Sequence, residues 1–362
     1  MKLNSLRLVH LEIPFRTSFK HTSAERKFTE AVIAVAHSDS VTGYGEGCPR
    51  RYVTGEDIAS CHTFLDTHRN RIVGIDNLEA LQSWIVENAS IINENPAAWC
   101  AIEMALLDIL ARETQRPIES LLGTPKLNGE FRYTAVLGVT TPLGFDLQLD
   151  RYQHLGCTDY KLKVSGSLDD DRRNIKRLTS LIPECRIRLD ANNLWTTADD
   201  AIQYVASLDA KIWALEEPLQ ANRYSDLKVV AQRLGCQIIL DESFLRREQL
   251  VHVKEEPELW IPNIRISKMG GVVRALDIAE QCRKLGLRFI VGSQVGETSL
   301  LTRAALCVAH GYRDCVLAQE GAFGTYLLEH DITDAPIMFG DRGILSVDQV
   351  SEKPGWGLRI QL

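Results

Sequence analysis

No stretch of this 362-residue chain approaches the roughly 20 consecutive apolar residues that a membrane-spanning helix needs. Basic residues form no long stripe, so the electrostatic footprint of a nucleic-acid binder is missing. The nine cysteines (Cys48, Cys61, Cys100, Cys157, Cys185, Cys236, Cys282, Cys307 and Cys315) are odd in number and never spaced C-x-x-C. That argues against a disulfide framework and against a zinc ribbon. No G-x-G-x-x-G follows an early strand pattern, which weakens a dinucleotide-binding open sheet. The first residues, Met1-Lys2-Leu3-Asn4-Ser5, are broken by charge and polarity and do not read as a signal peptide. What is left is ordinary for a globular protein, with 45% hydrophobic residues, 25% charged residues and a net charge of −7. These bounds point to a cytoplasmic enzyme with no nucleic-acid partner and no membrane.

What the chain does have is a period. Apolar runs at Tyr160–Val164, Ile187–Leu189, Ile212–Leu215, Ile238–Leu240 and Ile264–Ile266 each lead to charge, at Lys163, Asp190, Glu216, Asp241 and Lys268. The successive steps are 27, 26, 25 and 27 residues. One strand, one helix and two loops fill such a step. Eight strands are predicted: Tyr133–Val139, Tyr160–Val164, Arg186–Ala191, Lys211–Glu216, Gln237–Asp241, Ile264–Lys268, Arg288–Gly292 and Cys315–Ala318. Helical patterns lie between them at Asp169–Leu181, Ala198–Leu208, Tyr224–Leu234, Val272–Leu285 and Leu300–His310. Alternation of this kind implies a parallel sheet, and eight units suggest a closed (β/α) barrel.

Ahead of the barrel, Leu6, Leu8 and His10, and then Ala31, Ile33 and Val35, alternate as strands. The polar segment Arg16–Lys27 between them reads as a loop, and Gly43–Pro49 as turn-rich. Helical periodicity runs from Thr54, a candidate cap, to about Leu122. The expected fold is therefore α/β: a (β/α) barrel of the modified TIM type over residues 126–324, an α+β capping domain over 1–125, and a segment 325–362 that returns to the cap.

In such barrels chemistry sits at the C-terminal strand ends. Asp190, Glu216 and Asp241 would close three successive strands. Three carboxylates without a neighbouring histidine or cysteine suit a hard divalent cation, Mg²⁺ first and Mn²⁺ second, better than zinc. Lys161 and Lys163 are two apart and point the same way. Lys268 comes four strands later, across the barrel. Lysines near a cation serve as proton acceptors when their own charge is disfavoured. Any one of these residues alone would more simply be a solvated strand face, a helix cap or a surface ion pair. Their common register is what argues for a site.

The order K-x-K, D-x-N, E-x-P, D-E and K-x-G-G resembles the enolase superfamily in its muconate-lactonizing branch, over nearly the whole chain. The resemblance implies Asp190, Glu216 and Asp241 as metal ligands and Lys163 and Lys268 as an acid/base pair. It implies Lys161 as support for a substrate carboxylate, with Asn192 and Glu242 behind the ligands. It further implies a small-molecule carboxylate substrate and an isomerase that removes the proton α to that carboxylate through a metal-stabilised enediolate. Muconate-cycloisomerase-like and amino-acid-derivative racemase or epimerase activities are both expected readings. A dipeptide epimerase and a non-catalytic carboxylate-binding barrel are the alternatives. The mandelate-racemase branch, with its His–Asp pair, is disfavoured because Val291-Gly-Ser-Gln-Val-Gly-Glu297 holds no histidine. Specificity is expected from the Arg16–Lys27 loop, with Arg16, Lys20, His21 and Arg26 as candidates to meet an anionic tail, and from Glu297 and Glu320 near the last strands. A homo-oligomer is a family-level expectation.

Overall fold

The computed structural model describes the backbone of residues 1–21 and 24–362, and the side chains of all of these except 17–25. The cap opens with β1 (Leu3–Leu11), β2 (Pro14–His21), β3 (Ala24–Phe28), β4 (Ala31–Ser38) and β5 (Thr42–Gly47). Strands β1, β4 and β5 form one antiparallel sheet, and β2 with β3 a separate hairpin. The segment Arg16–Lys27, expected as a loop, is thus mostly hairpin.

Five helices follow: α1 (Ile58–Val73), α2 (Leu78–Glu87), α3 (Ala89–Glu94), α4 (Pro96–Glu113) and α5 (Ile118–Leu122). Helix α1 starts at Asp57 rather than at Thr54. The Asp57 carboxylate accepts the Ser60 N–H while the Ser60 hydroxyl accepts the Asp57 N–H, a reciprocal cap. The Gly43–Pro49 region, expected as turns, is largely strand. Gly43, Gly45 and Gly47 lie on the face of β5 against α4, where an added Cβ would come within 2.0–2.3 Å of the α4 carbonyl oxygens. Their missing side chains let a fully buried helix rest directly on the sheet.

After the short β6 (Glu130–Arg132) the barrel runs through β7 (Ala135–Leu137), α6 (Pro142–His154), β8 (Asp159–Lys163), α7 (Leu168–Leu181), β9 (Arg186–Asp190), α8 (Ala198–Ser207), β10 (Ala214–Glu216), α9 (Tyr224–Leu234) and β11 (Gln237–Leu240). It continues through β12 (Trp260–Ile264), α10 (Ile266–Met269), α11 (Val272–Lys284), β13 (Phe289–Val291), α12 (Ser299–Gly311) and β14 (Val316–Gln319). The eight strands β7 to β14 form one sheet in sequence order, and every pair in it is parallel. The Thr134 N–H donates to the Gln319 carbonyl at 2.8 Å, tying the last strand to the chain entering the first. The expected (β/α) barrel is present.

One predicted strand is wrong in a way that matters. The sixth strand is Trp260–Ile264, four residues ahead of the predicted start, and Lys268 lies on the one-turn helix α10 beyond it. The alternation Ile264-Arg265-Ile266 mimics strand continuation. The turn is set by Gly270 and Gly271, both at positive φ, and by a tertiary contact. The buried Glu103 carboxylate of α4 accepts the Val272 and Val273 N–H groups at 2.6 and 3.1 Å, capping α11 from the other domain.

The C-terminal segment carries β15 (Ile344–Ser346), which pairs antiparallel with β6. Trp356 then packs fully buried against α4, donating from its indole N–H to the Met104 carbonyl at 3.1 Å and from its backbone N–H to Asp108 at 3.0 Å. Trp356→Phe keeps most of the apolar contact and loses only the indole bond to the Met104 carbonyl, which stays in the α4 hydrogen-bond ladder. It is expected to destabilise the chain by about 0.5–1.5 kcal/mol in a denaturant titration.

Candidate active site

Register explains why the charges meet. Across the parallel ladder Lys163 is level with Asp190, and Asp190 is level with Glu216; one layer deeper, Lys161 is level with Arg188. Residues two apart on a strand share a face, so β8 and β9 send Lys161, Lys163, Arg188 and Asp190 into the barrel interior. All but Lys163 are buried beyond nine-tenths as residues, and the Lys163 side chain retains 8% exposure.

The Lys161 ammonium is the hub. It lies 3.2 Å from Asp190, 3.2 Å from Glu216 and 3.0 Å from Glu320. Burial would lower its proton affinity, but the three carboxylates more than reverse that and hold it charged. Lys163 donates to Asp190 at 3.1 Å and to the Asn192 side-chain oxygen at 2.6 Å. Asn192 stands at a positive φ, in a tight turn where its own N–H donates to Asp190. On the far side, Asp241 takes Lys268 at 2.7 Å on one oxygen and Arg265 on the other. Arg265 also approaches Glu216 at 3.7 Å, and Asn263 donates to that same carboxylate at 3.3 Å. So Asp190, Glu216 and Asp241 are linked into one cluster through Lys161 and Arg265.

Sequence reasoning missed several members. Arg188 donates to Glu320 at 2.6 Å and to the Thr134 hydroxyl at 3.1 Å; its position two before Asp190 was a readable signal. Glu217, fully buried, accepts the Asp241 and Ser243 N–H groups, both at 2.7 Å, and the Ser243 hydroxyl at 3.0 Å. It holds the turn that carries Asp241. Arg265 is one residue past its strand, as Asp241 is past β11.

A cavity of about 730 Å³ opens over this cluster. Lys161, Lys163, Asp190, Asp241, Glu242 and Arg265 are at its floor, and Val139, Pro142, Tyr152, Phe323 and Tyr326 give it apolar walls. Two of the expected site residues stand differently from the rest. Lys268 is not among the lining residues; it is fully buried, donates to the Asp241 carbonyl at 2.8 Å as well as to its carboxylate, and has its proton affinity lowered, chiefly by burial. Glu320 does reach the cavity, but Lys161 and Arg188 occupy both its oxygens in place of a substrate cation.

Other candidates lie away from the floor. Arg16 donates to the carbonyls of Thr325, Leu328 and Glu329 at 2.8–3.1 Å and lines a neighbouring cleft. Arg26 is buried against Glu30 and Tyr52. Glu297 is half-buried, accepts the Gln294 N–H and has its carboxyl pushed up to about 8, chiefly by desolvation. The side chains of Lys20 and His21 lie outside the described residues. Glu242 lines the cavity with one oxygen free of hydrogen bonds, and burial first, then Asp241, raises its carboxyl to about 7.

Among the described residues no three His, Cys, Asp or Glu side chains stand at metal-ligand spacing. Lys161 and Arg265 fill the space between the carboxylates and act as stand-in cations there. The donor set nonetheless suits a hard divalent ion: three buried carboxylates, no nitrogen or sulfur ligand, and a Glu216 carboxyl that burial raises to about 8 for want of sufficient positive charge.

Comparison with known proteins matches residues 5–123 to the family "Mandelate racemase / muconate lactonizing enzyme, N-terminal domain" and residues 146–362 to "Enolase C-terminal domain-like". The chain belongs to this branch of the enolase superfamily. Among its relatives, the hydrophobic dipeptide epimerase of Enterococcus faecalis is 26% identical over 81% of this chain and 83% of its own length. The N-succinyl-L-Arg/Lys racemase of Bacillus cereus is 25% identical over 99% of this chain and 96% of its own. The muconate lactonizing enzyme of Pseudomonas fluorescens superposes with a TM-score of 0.87 at 20% identity, covering 99% of this chain and 96% of that one. This member of the superfamily is an isomerase.

Proposed function

We propose that this superfamily member is a Mg²⁺-dependent isomerase that removes the proton α to the carboxylate of an amino-acid derivative or an unsaturated diacid, with Lys163 as the base. The observation that carries the reading is the level row Lys163–Asp190–Glu216 on three adjacent strands, with Lys163 and Asp190 lining one cavity. Asp190, Glu216 and Asp241 would hold the ion, which when bound supplies positive charge that stabilises the carboxylate as it gains electron density. The chain's own residues do the rest. Asn192 and Asp190 orient the Lys163 amine. Lys161 keeps a fixed positive charge beneath the reacting carboxylate. Glu217 fixes the Asp241 turn, and the apolar walls exclude water.

A second reading, a dipeptide epimerase, draws support from the Enterococcus faecalis relative. Against it, Glu320 is already engaged by Arg188 and Lys161. Proton NMR in ²H₂O with Mg²⁺ over pools of N-acylamino acids, dipeptides and cis,cis-muconate tests both. Loss of an α-proton signal, or growth of a lactone signal, is the expected result and names the class. A chain that binds Mg²⁺ and leaves every pool unchanged would contradict the proposal.

A further inference from the structure

Three aspartates, Asp169, Asp170 and Asp171, stand in the first turn of α7. Asp169 is exposed and Asp170 pairs with Arg173 at the surface, as charges at a helix N-terminus commonly do. Asp171 is turned inward and buried. Both its oxygens accept the Ser165 N–H at 3.1 Å; one also accepts the Ser165 hydroxyl at 2.7 Å and the other the Tyr204 hydroxyl at 2.7 Å. These donors are neutral, and none belongs to α7. The carboxylate therefore neither caps its own helix nor answers a cation. It ties α7 and α8 to the residue two past Lys163.

That is where the backbone stops doing so. The β8–β9 ladder ends with Lys163 level with Asp190, followed by one bond from the Val164 N–H to the Asp190 carbonyl at 2.8 Å. Beyond it the two chains part, one toward α7 and the other through Ala191–Trp195 toward α8. Asn192, which takes the Lys163 amine at 2.6 Å, lies on the second segment. Trp195, buried, ends that segment: its N–H donates to the Pro218 carbonyl at 3.0 Å, and its ring lies 5.1 Å from the ring of Tyr204. A continuous path runs from Lys163 through Ser165, Asp171, Tyr204 and Trp195 back to Asn192. It closes behind the amine.

We infer that Asp171 and Tyr204 are positioning residues that brace the end of the Lys163 strand against the Asn192 turn and so aim the Lys163 amine at the substrate. This inference rests on the proposal that Lys163 is the base. A lysine has a flexible four-carbon stem, so the ladder alone does not direct its amine. Direction comes from Asp190 and Asn192, both on the neighbouring unit. A shift of the Ser165 turn relative to the Asn192 turn moves the amine off its line. Neither Asp171 nor Tyr204 lines the active-site cavity, so they reach the chemistry only through this placement. The Tyr204 hydroxyl is held protonated, by burial first and then by its bond to Asp171, and remains a donor.

The test compares Tyr204→Phe, Asp171→Asn and Asp171→Ala with the wild-type chain, with folding followed by circular dichroism and Mg²⁺ uptake by calorimetry. The substrate is whichever of the N-acylamino acids, dipeptides and cis,cis-muconate is turned over. Tyr204→Phe should lower kcat by about 5-fold, the worth of one net hydrogen bond. Asp171→Ala should lower it by about 10–100-fold, as a misplacement on the order of 1 Å does. Asp171→Asn, which keeps one acceptor oxygen, should stand between. KM should stay within about twofold, since binding is untouched. In a Lys163→Ala background the same substitutions should cost no further residual α-proton exchange, because the amine they aim is gone. A structural role would lower both backgrounds alike. Wild-type kcat in Tyr204→Phe and Asp171→Ala, or equal losses with and without Lys163, would overturn the inference. Native turnover by Lys163→Ala would instead overturn the assignment of the base. Should Asp171→Ala not fold, Tyr204→Phe decides. A readout that needs no substrate is reductive methylation of the native full-length chain with Mg²⁺, followed by peptide mapping. Lys163 should react about 5-fold faster in the variants than in wild type while the other lysines keep their rates. An unchanged Lys163 rate would overturn the inference.

Discussion

Lys163→Ala is expected to lower turnover by about 10²–10⁴-fold, the range a positioned general base contributes. The expectation comes from placement. Of the three lysines in the site, Lys161 is locked among three carboxylates at 3.0–3.2 Å, and Lys268 is closed off behind Asp241. Lys163 sits at the end of its strand, on the cavity floor, with Asn192 at 2.6 Å directing its amine. The loss should fall on kcat, because Lys163 acts on the reacting proton and the substrate carboxylate is met elsewhere. Circular dichroism and a calorimetric Mg²⁺ titration should show a folded variant that still takes the ion. A variant with native turnover would remove Lys163 from the chemistry.

The second large effect is on stability. Glu320→Gln should cost about 3–5 kcal/mol in a denaturant titration at neutral pH, the penalty for breaking one side of a buried ion pair. Glu320 meets Arg188 at 2.6 Å and Lys161 at 3.0 Å inside the barrel, and Arg188 has no exposure through which water can replace the lost charge. Burial by itself would raise the Glu320 carboxyl, but Lys161, Arg188 and Arg265 overcome it and hold it down to about 2. A carboxyl depressed in the folded state contributes stability above its unfolded value, near 4.5, and loses it as pH falls through the folded one. The gap between wild type and Glu320→Gln should therefore be full above about pH 4.5 and should close as the pH is lowered toward 2. A gap that is constant across that window would mean Glu320 contributes by packing rather than by charge.

These two residues also mark where the sequence was and was not readable. The steps of 25 to 27 residues between charges exposed the barrel, since each unit of strand and helix needs about that much chain. Helix α9 agrees with its sequence pattern at both ends because Gly235, in the left-handed conformation, stops it locally. Lys163, Asp190, Glu216 and Asp241 fall at strand ends, so the periodicity located them directly. Lys268 was misplaced because Ile264-Arg265-Ile266 mimics a strand, and the Gly270–Gly271 turn that follows is completed by Glu103, which caps α11 from the other domain. Arg188 and Glu320 form a pair 132 residues apart in the chain, and only closure of the barrel brings them together. Glu320 therefore looked available to a substrate cation. The β2–β3 hairpin stayed hidden because the polar Arg16–Lys27 segment carries no apolar alternation to report a strand.

The most direct test of the account is deuterium uptake at the α-carbon, followed by NMR for wild type and Lys163→Ala side by side, each with Mg²⁺ shown to be bound. Label entering the substrate with wild type, and none above background with the variant, is the result expected if Lys163 removes the proton α to the carboxylate. Equal uptake by both proteins would contradict it.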